Sequence, residues 1–582
     1  MYKKKGNCNT IKDVIERNHP DIKDFLSPNP NPQIVNLKKA VNMLKNIVSD
    51  DPNIPIKIVG DYDVDGIKAT VIMVKALRMY GLNPSTRIPH RFSEGYGLSE
   101  KIIDEISDGL IITVDNGIAA IDAIKKAKEK GLYVIITDHH LPQKKDGNTI
   151  LPEADIIVDP WVYEESEYTG YCGAGLAYRF AKELLPKSNL DDLKVLAAIA
   201  TIADIMPLKG ANRLLVQDGL KLINKGRVVP GLRHLLRKLK LEEHITEDDF
   251  AFTIGPIINA SGRLYDDGAS SVLDIFVADW RDYQLPYKCG KLIDINEERK
   301  KRLRNAIDSI DLPTHKSTPL VIYDPDWGEG IVGLIAGKLC EKYHVPVIAF
   351  TRTKSGQLKG SGRSIPGIHL KNVLDSIPKD ILIGYGGHEG AAGLSIKKEN
   401  LKRFEKEFEK ACGTLPEKPE ITYDLELPFN LVDTLDELDK YAPYGAKNPK
   451  VRFHFYFKID KVEQLGDGTH IRLSNNNTSL ELIGFDMYNI YLTMGAPSKI
   501  EVIGYLSNQW FNGNLKIHNI FLYYCINGFF SYLDHLAVLL MTELYKYPLY
   551  SPFFITHKQH NYIYRFFHPT ENFQEDIFLI FL

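Results

Sequence analysis

The sequence predicts an α/β protein built on a parallel sheet, and three observations carry that reading. Ile56-Lys57-Ile58-Val59, the run Leu110 to Val114 and the run Leu132 to Thr137 are short, apolar and of strand length. Each ends in a polar turn: Asp61-Tyr62-Asp63-Val64-Asp65-Gly66, Asp115-Asn116-Gly117 and Asp138-His139-His140. A helical stretch follows the first turn, Ile67 to Tyr80, and another follows the second. Strand, acidic turn, helix and strand again is the pattern of a βαβ unit. In parallel sheets, sites form beyond the carboxyl ends of the strands, so all three clusters should project to one edge.

Carboxylates as dense as Asp61, Asp63 and Asp65 repel one another. At the end of a buried strand they are tolerable when a cation stands among them. Carboxylate oxygens without thiols select a hard divalent ion, Mg²⁺ or Mn²⁺. The first expectation is therefore a metal site at a strand end.

The remaining elements follow in order. Residues 1 to about 50 read as a helical preface, broken at Pro28-Asn29-Pro30-Asn31-Pro32 and resuming from Leu37 to Ile47. A largely helical block covers Ala174 to Leu185, Leu193 to Ile205 and Gly219 to Leu239. Asp204 ends the second of these helices. On spacing alone it reads as an ordinary helix-terminal polar residue, with a fourth metal carboxylate as the alternative. Ile293 to Ile310, with Glu297-Glu298-Arg299-Lys300-Lys301-Arg302, reads as a solvated linker helix.

A second α/β pattern begins at Pro319, with strands Leu320 to Tyr323 and Val347 to Phe350 around the helix Ile331 to Tyr343. It carries two glycine-rich turns, Gly360-Ser361-Gly362-Arg363-Ser364 and Gly386-Gly387-His388-Glu389-Gly390. Such turns bring backbone N–H groups close to anions, with Arg363 and His388 as phosphate partners, although most glycine-rich turns are only turns. After a linker at Pro416 to Pro419, short alternating strands from about Ile421 to Tyr524 suggest a small OB-like β-barrel. Phe453, Phe455, Tyr456 and Phe457 lie on one of its strands, and about two of the four are expected to reach a base. The segment 526–582, dense in Phe, Tyr and Leu, has no assigned role.

The 582 residues leave room for several domains, and 44% hydrophobic with 25% charged residues is ordinary globular composition. The formal net charge of −3 excludes a polycation, so nucleic-acid contact must come from a local basic groove. Six scattered cysteines with no CxxC pair read as free thiols of a reducing cytosol. The basic N-terminus lacks the apolar core of a signal peptide, and no stretch reaches membrane-spanning length.

These motifs together resemble the DHH phosphoesterases, and most closely the RecJ-type single-strand-specific exonucleases among them. The matching pieces are Gly60 to Gly66, Val114 to Gly117, Asp138 to His140, Ala203-Asp204 with Pro207-Leu208 and Asn212-Arg213, and Gly255-Pro256 with Asn259-Ala260 and Gly262-Arg263. Gly360 to Ser364 and Gly386 to Gly393 resemble the DHH-associated domain. Pro443-Tyr444-Gly445, Asn448-Pro449 and Asn508 to Gly513 resemble the family's OB-like domain. Asp159-Pro160 stands where the family more often has Asn-Pro.

The resemblance implies two divalent cations, Mn²⁺ or Mg²⁺, with Asp61, Asp63, Asp65, Asp115, His139 and Asp204 as metal ligands. It implies catalytic roles for Asp115, for His140 facing the scissile phosphate and for Asp138 orienting a histidine. It implies substrate contacts from Arg263, Arg363, His388, Gly386 and Gly387. The expected organisation is a preface at 1–53, a DHH domain with its helical block at 54–280 and a linker helix at 281–318. A DHH-associated domain at 319–413, an OB-like domain at 420–525 and the tail at 526–582 complete it. The implied activity is metal-dependent 5′ to 3′ exonuclease action on single-stranded DNA in repair and recombination. A cytoplasmic monomer is expected, with a single-strand-binding protein and a helicase as partners and no membrane. The alternative is a DHH phosphodiesterase of short oligonucleotides or cyclic dinucleotides.

Overall fold

Ile56–Val59, Ser85–Arg87, Leu110–Val114, Tyr133–Thr137 and Ile156–Val158 form one five-stranded sheet in which every neighbouring pair is parallel. The computed structural model describes residues 2–145, 147–312, 317–466, 468–478, 480–511, 514–523, 555–558 and 561–564. Asn512 and Gly513 of the expected OB motif, and most of the segment 526–582, lie outside the described residues.

Register places the site. Val59 pairs with Thr113, Val114 with Thr137, and Thr137 with Val158. The ladder runs on past the strand ends, because Asp115 N–H donates to Thr137 O (3.0 Å) and Asp138 N–H to Val158 O (3.1 Å). The residues that leave these strands, Asp61, Asp115, Asp138 and Asp159, therefore line one edge. The central strands are buried on both faces and so almost wholly apolar, as in Leu110–Val114, whereas the edge strand Ser85–Arg87 is polar.

The helix Val64–Met79 starts three residues before the expected Ile67, because Asp63 caps it: its side chain accepts from Gly66 N–H at 3.1 Å. The helical block contains Gly173–Leu184, Asp191–Ala203, Gly210–Asn224 and Pro230–Leu239. The expected single stretch from Gly219 to Leu239 is two helices. Gly226 takes a positive φ of 67° and Pro230 opens the next helix, where its missing N–H costs nothing.

The helix Leu285–Asp308 leads to a second five-stranded sheet, ordered Leu382–Gly387, Ala391–Ile396, Leu358–Arg363, Val347–Arg352, Leu320–Tyr323. Only the last pair is parallel. Each sheet has its own buried core, Ile58, Ile112 and Ile135 in one and Ile348, Phe350 and Phe404 in the other.

A separate unit comprises Tyr2–Asn9, Thr422–Leu435 and residues from Val451 onward. It contains a seven-stranded mixed sheet running from Leu425–Glu426 to Lys461–Leu465. Phe453 and Phe457 are buried in it, whereas Tyr456 is 60% exposed and Phe455 half-buried. The expectation of a wholly helical preface needs correction here. Tyr2–Lys4 is a strand that pairs with Ile421–Tyr423. Its anchor is Tyr2, whose hydroxyl donates to Glu501 and whose ring stacks on His454 at 5.2 Å. The rest of the preface is helical, with Ile11–Asn18, Ile22–Leu26 and Leu37–Asp50.

Candidate metal centre and active site

The six residues expected as metal ligands converge. Asp61, Asp63 and Asp115 bring one oxygen each within a common 4.8 Å, and Asp65, His139 and Asp204 do the same with one ligand atom each. Asp115 and His139 also group with His140. His139 Nε2 lies 3.0 Å from Asp115 Oδ1, 3.6 Å from Asp65 Oδ2 and 3.9 Å from Asp204 Oδ2.

Local structure fixes most of these side chains. Asp65, in the first turn of its helix, accepts from Gly173 N–H (2.6 Å) and Ala174 N–H (2.8 Å), the amino end of the next helix. Opposite charge at a helix amino terminus is stabilising there. Gly173 is required: a Cβ would lie 2.4 Å from Asp115 Cβ. Asp115 adopts a φ of +62°, a left-handed conformation that costs a non-glycine residue and marks functional sites. Asn116 ties the strand ends together, donating to Val59 O (3.1 Å) and Val114 O (2.9 Å).

Asp138 orients the histidine pair. One oxygen accepts from His139 N–H (2.7 Å), from His140 N–H (3.2 Å) and from His140 Nδ1 (2.8 Å); the other accepts from Ile118 N–H (2.9 Å). Burial opposes its charge, but these donors outweigh burial and lower its proton affinity. His140 shows the converse. Burial lowers its proton affinity, the Asp138 hydrogen bond raises it, and the net value is pushed up to about 9. Tyr96, which sequence reasoning missed, donates its hydroxyl to Asp115 O (2.9 Å) and lies 3.2 Å from His140 Nδ1.

The donor set fits a divalent cation. Asp61 Oδ1 and Asp115 Oδ1 are buried without a hydrogen-bond partner. Burial, and then the charge of neighbouring aspartates, raises the proton affinity of Asp61, Asp63 and Asp115, and lifts Asp204 to about 8. Burial lowers that of His139, which leaves its ring neutral with a lone pair to donate. Repelling carboxylates beside a neutral imidazole are the field a hard dication relieves. Asp159 also lines the edge: Oδ1 accepts from Trp161 N–H (2.9 Å), Oδ2 has no partner, and burial raises the group to about 8.

A group of arginines borders the cluster. Arg263 is held down to about 10 by burial and then by Arg91, Arg299 and Arg363, with Asp63 opposing. Arg263 donates to Gly330 O (3.4 Å), and Arg363 to Gly362 O (2.8 Å) and Ser361 Oγ (3.3 Å). Arg91 lies 4.5 Å over the Tyr62 ring on a loop pinned by Asp266, which accepts from Phe92 N–H at 2.6 Å. Arg91 and Arg299 were not singled out from sequence. Guanidinium groups are forks that match phosphate geometry, and Arg263 feels the charges of the other three and of Asp63. His388, Gly386 and Gly387 occupy the adjoining hairpin, where Arg363 pairs with Ala391, and Gly387 with Ala392. His388 is exposed, and its Nδ1 accepts from Gly390 N–H at 3.3 Å.

A carboxylate–histidine cluster at the carboxyl edge of a parallel sheet, in a chain that carries a second α/β domain, defines a DHH-type phosphoesterase. Residues 55–206 match the DHH family, N-terminal domain, residues 317–414 the DHHA1 domain and residues 423–520 the RecJ OB domain. The single-stranded-DNA-specific exonuclease RecJ of Dickeya dadantii is 31% identical over 528 residues, covering 83% of this chain and 89% of the relative. That of Escherichia coli is 33% identical over 529 residues, covering 84% and 90%. RecJ from Thermus thermophilus in complex with Mn²⁺ superposes with a TM-score of 0.72 at 27% identity, over 87% of this chain and 74% of that one. Its Mg²⁺ complex gives 0.66 at 26% identity, over 87% and 73%. The chain belongs to the RecJ family of single-stranded-DNA-specific exonucleases.

Proposed function

We propose that this protein is a metal-dependent exonuclease that hydrolyses single-stranded DNA from the 5′ end. The observation that carries the reading is the convergence of Asp61, Asp63, Asp65, Asp115, Asp204 and His139 on one sheet edge beside four arginines. Two groups of three ligands fit two ions, held by Asp61, Asp63 and Asp115 on one side and Asp65, His139 and Asp204 on the other. Bound Mn²⁺ or Mg²⁺ supplies an activated water and neutralises phosphoryl charge.

The chain's own residues do the rest. Asp138 holds His140 as an imidazolium, which donates to a nonbridging phosphate oxygen as charge builds in the transition state. Arg91, Arg263, Arg299 and Arg363 hold flanking phosphates, and the Gly386-Gly387-His388 hairpin closes over the strand. No side chain acts as a covalent nucleophile. The 5′ to 3′ polarity and a role in repair and recombination are inferred from the resemblance of the motifs to the RecJ family. Barrel residues such as Tyr456 provide stacking surface for a long strand, which favours polymeric DNA over dinucleotides.

A nuclease restricted to single strands needs them supplied, so we infer that it works with a helicase and a single-strand-binding protein. We infer a monomer, since the ligand set is complete within one chain. A cytoplasmic setting fits a DNA substrate and the buried thiols Cys172, Cys289, Cys340 and Cys412, which form no disulfide among the described residues. No helix among the described residues is long and apolar enough to cross a membrane. The test is Asp115→Ala: hydrolysis of single-stranded DNA is lost while strand binding persists, and normal turnover would overturn the assignment.

A further inference from the structure

The loop that contains Pro443-Tyr444-Gly445 lies, in sequence, inside the segment matched to the RecJ OB domain. In space Asp436–Lys450 packs with the catalytic unit instead. Its contacts are specific. Leu208 N–H donates to Ala446 O at 2.8 Å, and Gln217 Nε2 to Ala442 O at 2.8 Å. Arg213, only 2% exposed, donates to Tyr441 O (2.7 Å) and Lys440 O (3.3 Å). Tyr444 N–H donates to the half-buried Glu247 carboxylate at 3.0 Å.

Asn448 holds the loop in shape. Its Nδ2 donates to Pro443 O (2.7 Å) and Tyr441 O (3.0 Å), and its Oδ1 accepts from His19 Nε2 at 3.0 Å. Gly445 faces Leu208 so closely that a Cβ would lie 2.9 Å from Leu208 Cδ1.

Leu208 closes the short turn that begins at Asp204. Asp63 and Asp65 are each fixed by backbone N–H donors, whereas the Asp204 side chain makes no hydrogen bond among the described residues. Its position depends on its backbone. The next residue, Ile205, has a φ of +56°, a conformation costly for a β-branched side chain. That turn is tied to the helix Asp191–Ala203 by Ile205 N–H to Ile202 O (3.1 Å) and Met206 N–H to Thr201 O (3.0 Å), and its far end is held by the Leu208–Ala446 bond.

We propose that the loop Lys440–Asn448 is a strut that positions Asp204 for cation binding. The inference rests on the reading of Asp204 as a ligand. It makes Gly445, Asn448 and Arg213 positioning residues for a centre they do not touch.

The test is Mn²⁺ binding to the full chain, followed by electron paramagnetic resonance of free Mn²⁺, in Gly445→Val, in the milder Gly445→Ala and in Asn448→Ala. Each is made with and without Asp204→Asn. The strut predicts that Gly445→Val and Asn448→Ala weaken Mn²⁺ binding about tenfold, the scale on which supporting residues act at metal sites. It predicts that kcat recovers at saturating Mn²⁺ with KM for DNA unchanged. On the Asp204→Asn background the loop variants should cost nothing further, because coupled residues are not additive. Mn²⁺ affinity within twofold of the parent in folded variants would overturn the strut, as would an equal loss on both backgrounds. Unchanged Mn²⁺ binding in Asp204→Asn alone would overturn the ligand assignment and the strut with it. Mn²⁺ binding that behaves as expected in a parent without nuclease activity would overturn the proposed function and leave the strut standing.

Discussion

Asp138 accepts a hydrogen bond from His140 Nδ1 at 2.8 Å, and the same oxygen accepts the backbone N–H groups of His139 and His140. One carboxylate thus sets the orientation of both histidines and the charge of one. Asp138→Asn should keep the fold but lose the charge that raises His140. Activity should fall roughly 10–100-fold, the range typical of residues that orient metal ligands. Steady-state kinetics at saturating Mn²⁺ would check this, and full activity would contradict it.

Arg91 carries a charge within electrostatic reach of both the carboxylates and Arg263. It acts on the charge of Asp61 and Asp63 and on that of Arg263. A hydrogen bond to a charged partner contributes about 1.5–3 kcal/mol. Arg91→Ala should therefore raise KM for single-stranded DNA about tenfold or more, with Mn²⁺ binding intact. An unchanged KM would remove Arg91 from the strand-binding site.

Glu94 gives a pH prediction that does not involve a proposed metal ligand. It is paired with Arg87 at 2.9 Å and accepts from His90 N–H at 2.8 Å. Burial raises its proton affinity, but the Arg87 pair and the His90 N–H outweigh burial and bring it to about 2. A carboxyl depressed in the folded state stabilises the fold above its unfolded pKa of about 4.3. That contribution is lost as pH falls through the folded value. Thermal melts from pH 5 to 2 should show a steeper loss for the parent than for Glu94→Gln. Parallel curves would contradict the assignment.

Strand ends were legible in the sequence because the chemistry there is abrupt. Short, largely apolar runs followed by Asp61, Asp115 or Asp138 mark buried strands reaching the carboxyl edge of the sheet. Their common edge followed from βαβ connectivity, whereas the order of the strands was not expected. Asp204 was not legible by spacing, because the end of a helix looks the same whether or not it faces a metal. Tyr96, Arg91 and Arg299 were missed for related reasons. Two lie on loops whose course no periodicity fixes, and Arg299 is embedded in a run of charges that reads as a solvated face. The Tyr2–Lys4 strand and the loop around Gly445 were misplaced because each pairs with residues hundreds of positions away. Local patterns carry no record of such partners.

The most direct test is degradation of a long single-stranded DNA labelled at its 5′ end, with Mn²⁺ and then with EDTA, beside a duplex of the same sequence. The predicted result is Mn²⁺-dependent release of labelled mononucleotides, abolished by EDTA, with the duplex spared. Intact single strands alongside cleavage of dinucleotides would contradict it.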